Sequence, residues 1–357
     1  MPTMVLCCGS LLLVALHIPI STQAGSGLRV RQVEVLDAPS AEEVERYTHR
    51  QAVPVVLRGT GVTDGTGWST ETLLSLCGSQ PVTGTHCIDT TVAMQLQKSG
   101  QRSRMSQQWG GLGPVTRKDL DRLSIRTFAD VLHHQQKGKG SQWYVHDVSI
   151  ANLCPSLGKR LRVPSYFPVE GDKMFNIHER CPSSHPSIFV GMNGTRTLLH
   201  IDTENTRFWM VILGGSKRWH FVHPDDRWRL NPTAQSEASS HRFQVDLFAH
   251  DLAQFPLLDG LRVYEATTET GDVMFVPEGW VHQVENLEDT ISYSGNYVDE
   301  HNFDKHVALM WASLGESLGD PDHAQAARKL AFFRQEAVQD AFRRHAREAR
   351  RSRDHWL

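Results

Sequence analysis

Two short stretches carry side chains that could bind a metal together. His200-Ile201-Asp202 closes the run from Gly191, and His282 ends Gly279-Trp280-Val281-His282. In an extended strand successive side chains alternate between faces, so His200 and Asp202 project to the same side, and a second strand has to bring His282 to them. Two imidazoles and one carboxylate on one face of an ion leave adjacent coordination positions open, which suits a non-haem Fe(II) that must also accept a co-substrate and O2. A zinc ion more often has closed tetrahedral coordination or a third protein nitrogen. Taken alone, a His-x-Asp pair is also what the end of a surface strand looks like, so the surrounding sequence has to decide.

The elements around these residues sharpen the reading. Arg207 to Leu213, a Gly214-Gly215-Ser216 turn and Lys217 to Pro224 read as two strands joined by a tight hairpin, because glycine supplies the positive φ that a short turn needs. On the second of these strands Lys217, Trp219 and Phe221 share a face. A lysine on an aromatic face needs an anion if it is buried, and the distal carboxylate of a 2-oxo acid would serve; a lysine at a strand start that reaches back to water is the alternative. In Thr290 to Tyr297 every even position is a hydroxyl or amide residue and every odd one is apolar or glycine, so one face meets core and the other meets a polar cavity or solvent at an edge. Ser292, Ser294 and Asn296 would line that cavity.

The joint pattern resembles a JmjC-domain Fe(II)/2-oxoglutarate oxygenase, a cupin-like family. It is most similar to the branch containing the JmjC lysyl hydroxylase also described as an arginine demethylase. The resemblance rests on the step from His200 to Lys217, the run Lys217-Arg218-Trp219, Gly271-Asp272-Val273-Met274-Phe275-Val276-Pro277 before the second histidine, and Asn286-Leu287 after it. It is clear from Gln142 to Phe303 and extends from Val33. It implies that His200, Asp202 and His282 are iron ligands and that Lys217 pairs with the C5 carboxylate of 2-oxoglutarate, helped by Ser294. Thr197 is a second candidate hydroxyl for that carboxylate, and Tyr144 resembles a tyrosine lining the pocket in relatives. One departure stands out: that branch tends to carry an amide where this chain has Met210.

The rest of the chain frames this centre. Met1 to Ala24 is apolar and ends in small residues, which reads as a secretory signal peptide although its start has no Lys or Arg; no later run is long enough to span a bilayer. The expected localisation is therefore the secretory pathway, lumenal or secreted. A net charge of −3 over 357 residues gives no general attraction to nucleic acid or membrane, and 39% hydrophobic residues suffice for a core. Cys77, Cys87, Cys154 and Cys181 remain after the leader, enough for two disulfides in any of three pairings or for four buried thiols. Helices are expected from Ala41 after a Ser40 cap, over Ser69 to Leu76 and over Thr127 to His134, with a buried strand at Pro54 to Leu57. Lys98 to Thr116 reads as a disordered insertion, with a lid over the site as the alternative. Asn193-Gly194-Thr195 is the acceptable glycosylation sequon, since proline excludes Asn231-Pro232-Thr233. Asn302 onward shows helical spacing, and Asp320-Pro321 starts a further helix that ends in an arginine run. That run reads as a solvated helix end; a homodimer through the C-terminal helices is the minority reading.

The expected architecture is mainly β with flanking helices: a double-stranded β-helix (jelly-roll) core and a C-terminal helical subdomain. The divisions are 1–24, signal peptide; 25–140, a mixed α/β flank; 141–300, the JmjC catalytic domain; and 301–357, a helical region. The resemblance implies a dioxygenase that hydroxylates a protein or peptide side chain, lysine favoured, using Fe(II), 2-oxoglutarate and O2 and releasing succinate and CO2. The rivals are a cupin-fold protein that binds metal or ligand without turnover and a zinc or manganese cupin isomerase.

Overall fold

The computed structural model describes residues 27–63, 68–82, 93–98, 121–137, 141–167, 186–202, 205–231, 243–299 and 301–318. The expected leader, the insertion after Lys98, Cys87, Cys181 and the arginine run lie outside them.

Two sheets face each other. The first contains β1 (Arg29–Gln32), β7 (Arg196–His200), β9 (Lys217–Val222), β10 (Arg262–Thr268) and β12 (Val281–Asn286), in the order β1-β10-β9-β12-β7. The second contains β2 (Glu34–Asp37), β3 (Val55–Arg58), β4 (Ala93–Lys98), β5 (Ser141–Ser149), β6 (Ser187–Gly191), β8 (Arg207–Gly214), β11 (Val273–Val276) and β13 (Thr290–Tyr297), in the order β2-β3-β11-β8-β13-β6-β5-β4. Alternation of side chains splits the apolar residues into three layers. Between the sheets lie Tyr144, Phe189, Phe208, Met210, Ile212, Trp219, Phe221, Met274 and Val284. The outer face of the eight-stranded sheet packs Val211, Leu213, Phe275, Ile291 and Tyr293 against helices α2 (Thr70–Cys77) and α3 (Phe128–Lys137) and the short turns α4 (Ile150–Leu153) and α5 (Pro155–Gly158). The outer face of the five-stranded sheet is covered by the 3-10-rich stretch after Pro224, through Leu230, Phe243, Leu247 and Leu258. This is the expected jelly-roll core with flanking helices.

One expectation is overturned. β8 and β9 are not a hairpin: β8 pairs with β11 and β13 in the larger sheet, whereas β9 pairs with β10 and β12 in the smaller one. The glycine turn between them is a corner that carries the chain from one sheet to the other. Gly215 has φ +78°, and a Cβ there would lie 2.3 Å from the Asp289 carbonyl oxygen. The glycine pair therefore marks a corner packed against another loop, and sequence alone does not separate that from a two-stranded turn.

Helix α1 (Ala41–Glu45) starts as expected, with the Ser40 hydroxyl and Glu43 carboxylate forming a capping box. It then widens into a π-helical turn over Arg46–Gln51 and stops at Ala52, which is left-handed at φ 49°. Pro54 forbids helical continuation just beyond. β13 is central, between β6 and β8, so its polar face lies inside the barrel and not at an edge. Helix α6 (Phe303–Leu318) follows the barrel. Among the described residues, no helix is long and apolar enough to cross a membrane. Of the two cysteine readings, the disulfide holds for one pair: Cys77 bonds Cys154, with Cα atoms 5.6 Å apart, tying α2 to the α4–α5 turn.

Gly215→Ala should destabilise the fold by ~2 kcal/mol or more, since it adds left-handed strain to a backbone clash. A lower urea midpoint at unchanged m-value checks this, and an unchanged midpoint would contradict it.

Candidate metal centre and carboxylate pocket

Barrel register assembles the predicted ligands. β7 and β12 are antiparallel neighbours, and His282 stands directly opposite His200, with ring centroids 4.2 Å apart. Asp202 follows β7 by two residues, its carboxylate 3.8 Å from His200 Nε2. One ligand atom from each of the three residues lies within 4.8 Å of the others. The backbone sets both imidazole orientations. His200 Nδ1 lies 2.6 Å from the Leu198 carbonyl, and His282 Nδ1 lies 3.2 Å from the Trp280 carbonyl. A carbonyl only accepts, so each Nδ1 carries a proton and Nε2 is the nitrogen left to face an ion, the arrangement that metal-binding histidines use. His282 is buried, while His200 and Asp202 are partly open. Two imidazole Nε2 atoms and a carboxylate are a fitting donor set for a first-row divalent ion.

The same cavity reaches Lys217. About 450 Å³ including its open mouth, it is lined by the three ligand residues, Lys217, Tyr144, Thr197 and Met210, with Phe208 and Trp219 as aromatic walls. Lys217 is fully buried and does not snorkel. Its ammonium donates to Asn286 Oδ1 at 2.6 Å, to the Tyr144 phenol at 3.3 Å and to Thr290 Oγ1 at 3.4 Å. These partners are neutral, and among the described residues no carboxylate pairs with the lysine. Burial without an anion pushes its pKa from 10.5 down to about 7. Burial likewise raises the Tyr144 phenol to about 12, so it stays a neutral hydrogen-bonding group.

Asn286 and Thr290 organise this end, and the sequence reading gave neither a role. Asn286 stands opposite Lys217 in the β12–β9 register and donates to Thr195 Oγ1 at 2.7 Å; the Thr290 hydroxyl donates to Asn286 Oδ1 at 2.9 Å. Gly191 makes room, since a Cβ there would lie 2.0 Å from Asn286 Nδ2. Asn286 lies four residues past His282 on the same strand face, and Thr290 opens the polar face of β13; those spacings were the available signals. Thr197 hydrogen-bonds to the Tyr144 phenol. Ser294 is buried on the expected face, but its hydroxyl lies 3.3 Å from that of Ser187, which donates to Asp147 at 2.6 Å. Asp147, at φ 56° in a bulge of β5, and His146 and Phe189 line the cavity beside Asn296.

Comparison with known proteins agrees with this geometry. A cupin-like domain model matches residues 39–304, and the chain belongs to that family. It is 25% identical over 194 residues to the "2-oxoglutarate and iron-dependent oxygenase JMJD4 homolog" of Drosophila melanogaster, covering 54% of this chain and 41% of that one. It is 30% identical over 131 residues to the JMJD4 protein of Danio rerio, covering 37% of this chain and 30% of that one. It is 32% identical over 134 residues to "Arginine-specific demethylase JMJ20" of Arabidopsis thaliana, covering 36% of this chain and 27% of that one. The chain thus spans less than half the length of these relatives. The expected resemblance to JmjC oxygenases is borne out at the level of family.

Because Lys217 titrates near 7 when folded and near 10.5 when unfolded, the unfolded chain binds the extra proton between those values. The contribution of the neutral lysine to stability is complete above the unfolded pKa and is lost as pH falls toward 7. The ligand-free protein should therefore gain stability toward alkaline pH, and Lys217→Met should flatten that slope. Urea titrations at several pH values read both; an equal slope in the variant would exclude Lys217 as its source.

Proposed function

We propose that this protein is an Fe(II)- and 2-oxoglutarate-dependent oxygenase that hydroxylates a side chain of a protein or peptide, lysine favoured. What carries the reading is a buried, anion-less lysine opening into the same cavity as two histidines and an aspartate with metal-ligand geometry. His200 Nε2, His282 Nε2 and the Asp202 carboxylate would hold Fe(II). Lys217 would receive the distal carboxylate of 2-oxoglutarate, with the neutral Tyr144 phenol beside it. Carboxylate binding holds the lysine proton in place, and desolvation strengthens the pair. Phe208 and Trp219 keep water from the reacting end, and Thr197 steadies the Tyr144 phenol. When bound, the iron supplies the oxidation: 2-oxoglutarate and O2 become succinate and CO2, and one oxygen atom enters a substrate C–H bond as hydroxyl.

Succinate release that requires both O2 and 2-oxoglutarate is expected from wild type and should be lost in His200→Ala. Lys217→Ala should raise the KM for 2-oxoglutarate by about 10- to 100-fold, the range of a charged hydrogen bond. Persistence of release in His200→Ala would remove the assigned site. Met210 favours a second reading, binding without turnover, because its thioether offers the cavity no strong hydrogen bond. That reading gains if wild type binds Fe(II) and 2-oxoglutarate yet forms no succinate.

We place the protein in the lumen of the secretory pathway or outside the cell. The Cys77–Cys154 disulfide supports this, because such bonds persist in oxidising compartments. So does the exposure of Asn193 in its sequon, on a turn whose amide donates to Asp289 at 2.9 Å. In secreting cells the full chain should lose electrophoretic mass on glycosidase treatment, and Asn193→Gln should abolish the shift. Absence of any shift in wild type would count against lumenal residence.

A further inference from the structure

A second group of ligand-type side chains lies apart from the cavity, where the N-terminal layer meets the start of α6. His49 comes from the π-helical turn Arg46–Gln51, Asp299 follows β13 by two residues, and His301 precedes α6. His49 Nε2 lies 3.2 Å from Asp299 Oδ2, and His301 Nδ1 lies 3.6 Å from Asp299 Oδ1. The two imidazoles stack with centroids 4.1 Å apart, and one ligand atom from each of the three residues lies within 4.8 Å of the others.

We infer that His49, Asp299 and His301 form a second divalent-cation site, of the zinc class, that clamps the N-terminal turn to the base of the C-terminal helix.

The arrangement favours an ion over a simple salt link. The Nδ1 atom of His49 is buried without a hydrogen-bond partner, so the ring has unused bonding capacity, while its Nε2 faces Asp299. The two ring planes are nearly parallel, so an ion shared with the carboxylate requires the exposed His301 ring to turn out of the stack and bring an in-plane lone pair toward it. The Asp299 carboxylate is braced for sharing: Arg207, itself fully buried, donates to Oδ2 at 3.0 Å, while the His301 amide donates to Oδ1 at 2.9 Å. The His301 side chain is 38% exposed, so it is free to turn a nitrogen toward the ion and leaves one position for water. An N2O donor set with an open position suits Zn2+ or Co2+ better than Mg2+ or Ca2+, which prefer oxygen.

The test uses tag-free full-length protein and Co2+ or Zn2+ alone. Equilibrium dialysis should give two equivalents in wild type and one in His200→Ala. In His49→Gln and in His301→Gln the count should also fall to one, and the double variant His200→Ala/His301→Gln should bind none. The equivalent retained by His200→Ala should raise the melting temperature and give the intense visible bands of low-coordinate Co2+; both should vanish when His301→Gln is added. His301→Gln is the surface variant that keeps the test open should His49→Gln fail to fold. Loss of all binding in His200→Ala, or two equivalents in His301→Gln, would overturn the site.

Discussion

An ammonium group enclosed by a barrel of aromatic and aliphatic residues is the constraint on which the interior depends. Neutral acceptors replace only part of the lost hydration, so the free lysine titrates near 7. The surrounding residues hold this unfavourable group in position and do not neutralise it. Asn286 is fixed from its amide end by Thr195, Thr290 bonds back to Asn286, and Gly191 leaves space for the amide. A carboxylate entering this pocket meets donors already oriented, in a medium where charge attraction is strong. A lysine free to reach water would offer far less.

The two ends of the cavity are controlled by different backbone relations. At the metal end, the antiparallel pairing of β7 with β12 puts His200 and His282 opposite each other, and the carbonyls of Leu198 and Trp280 fix their tautomers. At the carboxylate end, the pairing of β12 with β9 puts Asn286 opposite Lys217. β12 supplies a residue to each end, four positions apart on one face. Displacing it by one residue would turn His282 and Asn286 out of the cavity together. A shared strand thus fixes the spacing between the metal ligands and the lysine.

Much of this was legible in the sequence, because period-2 alternation reports faces directly. His200 and Asp202, the Lys217-Trp219-Phe221 face and the polar face of β13 all project where alternation places them. What alternation does not report is which strands pair. The Gly214-Gly215-Ser216 turn has hairpin composition, yet its conformation is fixed by packing against Trp68 and Asp289, residues remote in sequence. Asn286 and Thr290 were hidden for a related reason: their roles depend on β12 lying beside β9 and on β13 running through the middle of its sheet. Ser294 shows the limit of a face assignment. It points inward as expected, but its hydroxyl meets Ser187, and Thr290 reaches the lysine instead.

Strand β8 connects the cavity to the His49 cluster by the same alternation. Phe208 and Met210 point inward to the cavity, Phe208 with its ring 6.4 Å from that of His282. Arg207, one residue earlier, points the other way and donates to both Glu278 and Asp299. Its guanidinium is buried between two carboxylates, so leaving either one unpaired would be costly, and the strand start is pinned accordingly. Glu278 lies just before Gly279-Trp280 in the turn that leads to His282, and Lys305 of α6 donates to its other oxygen at 3.0 Å. Arg207 therefore ties together the start of β8, the approach to the second histidine and the base of α6. Asp299 thus bears on a residue adjacent to the aromatic wall of the cavity.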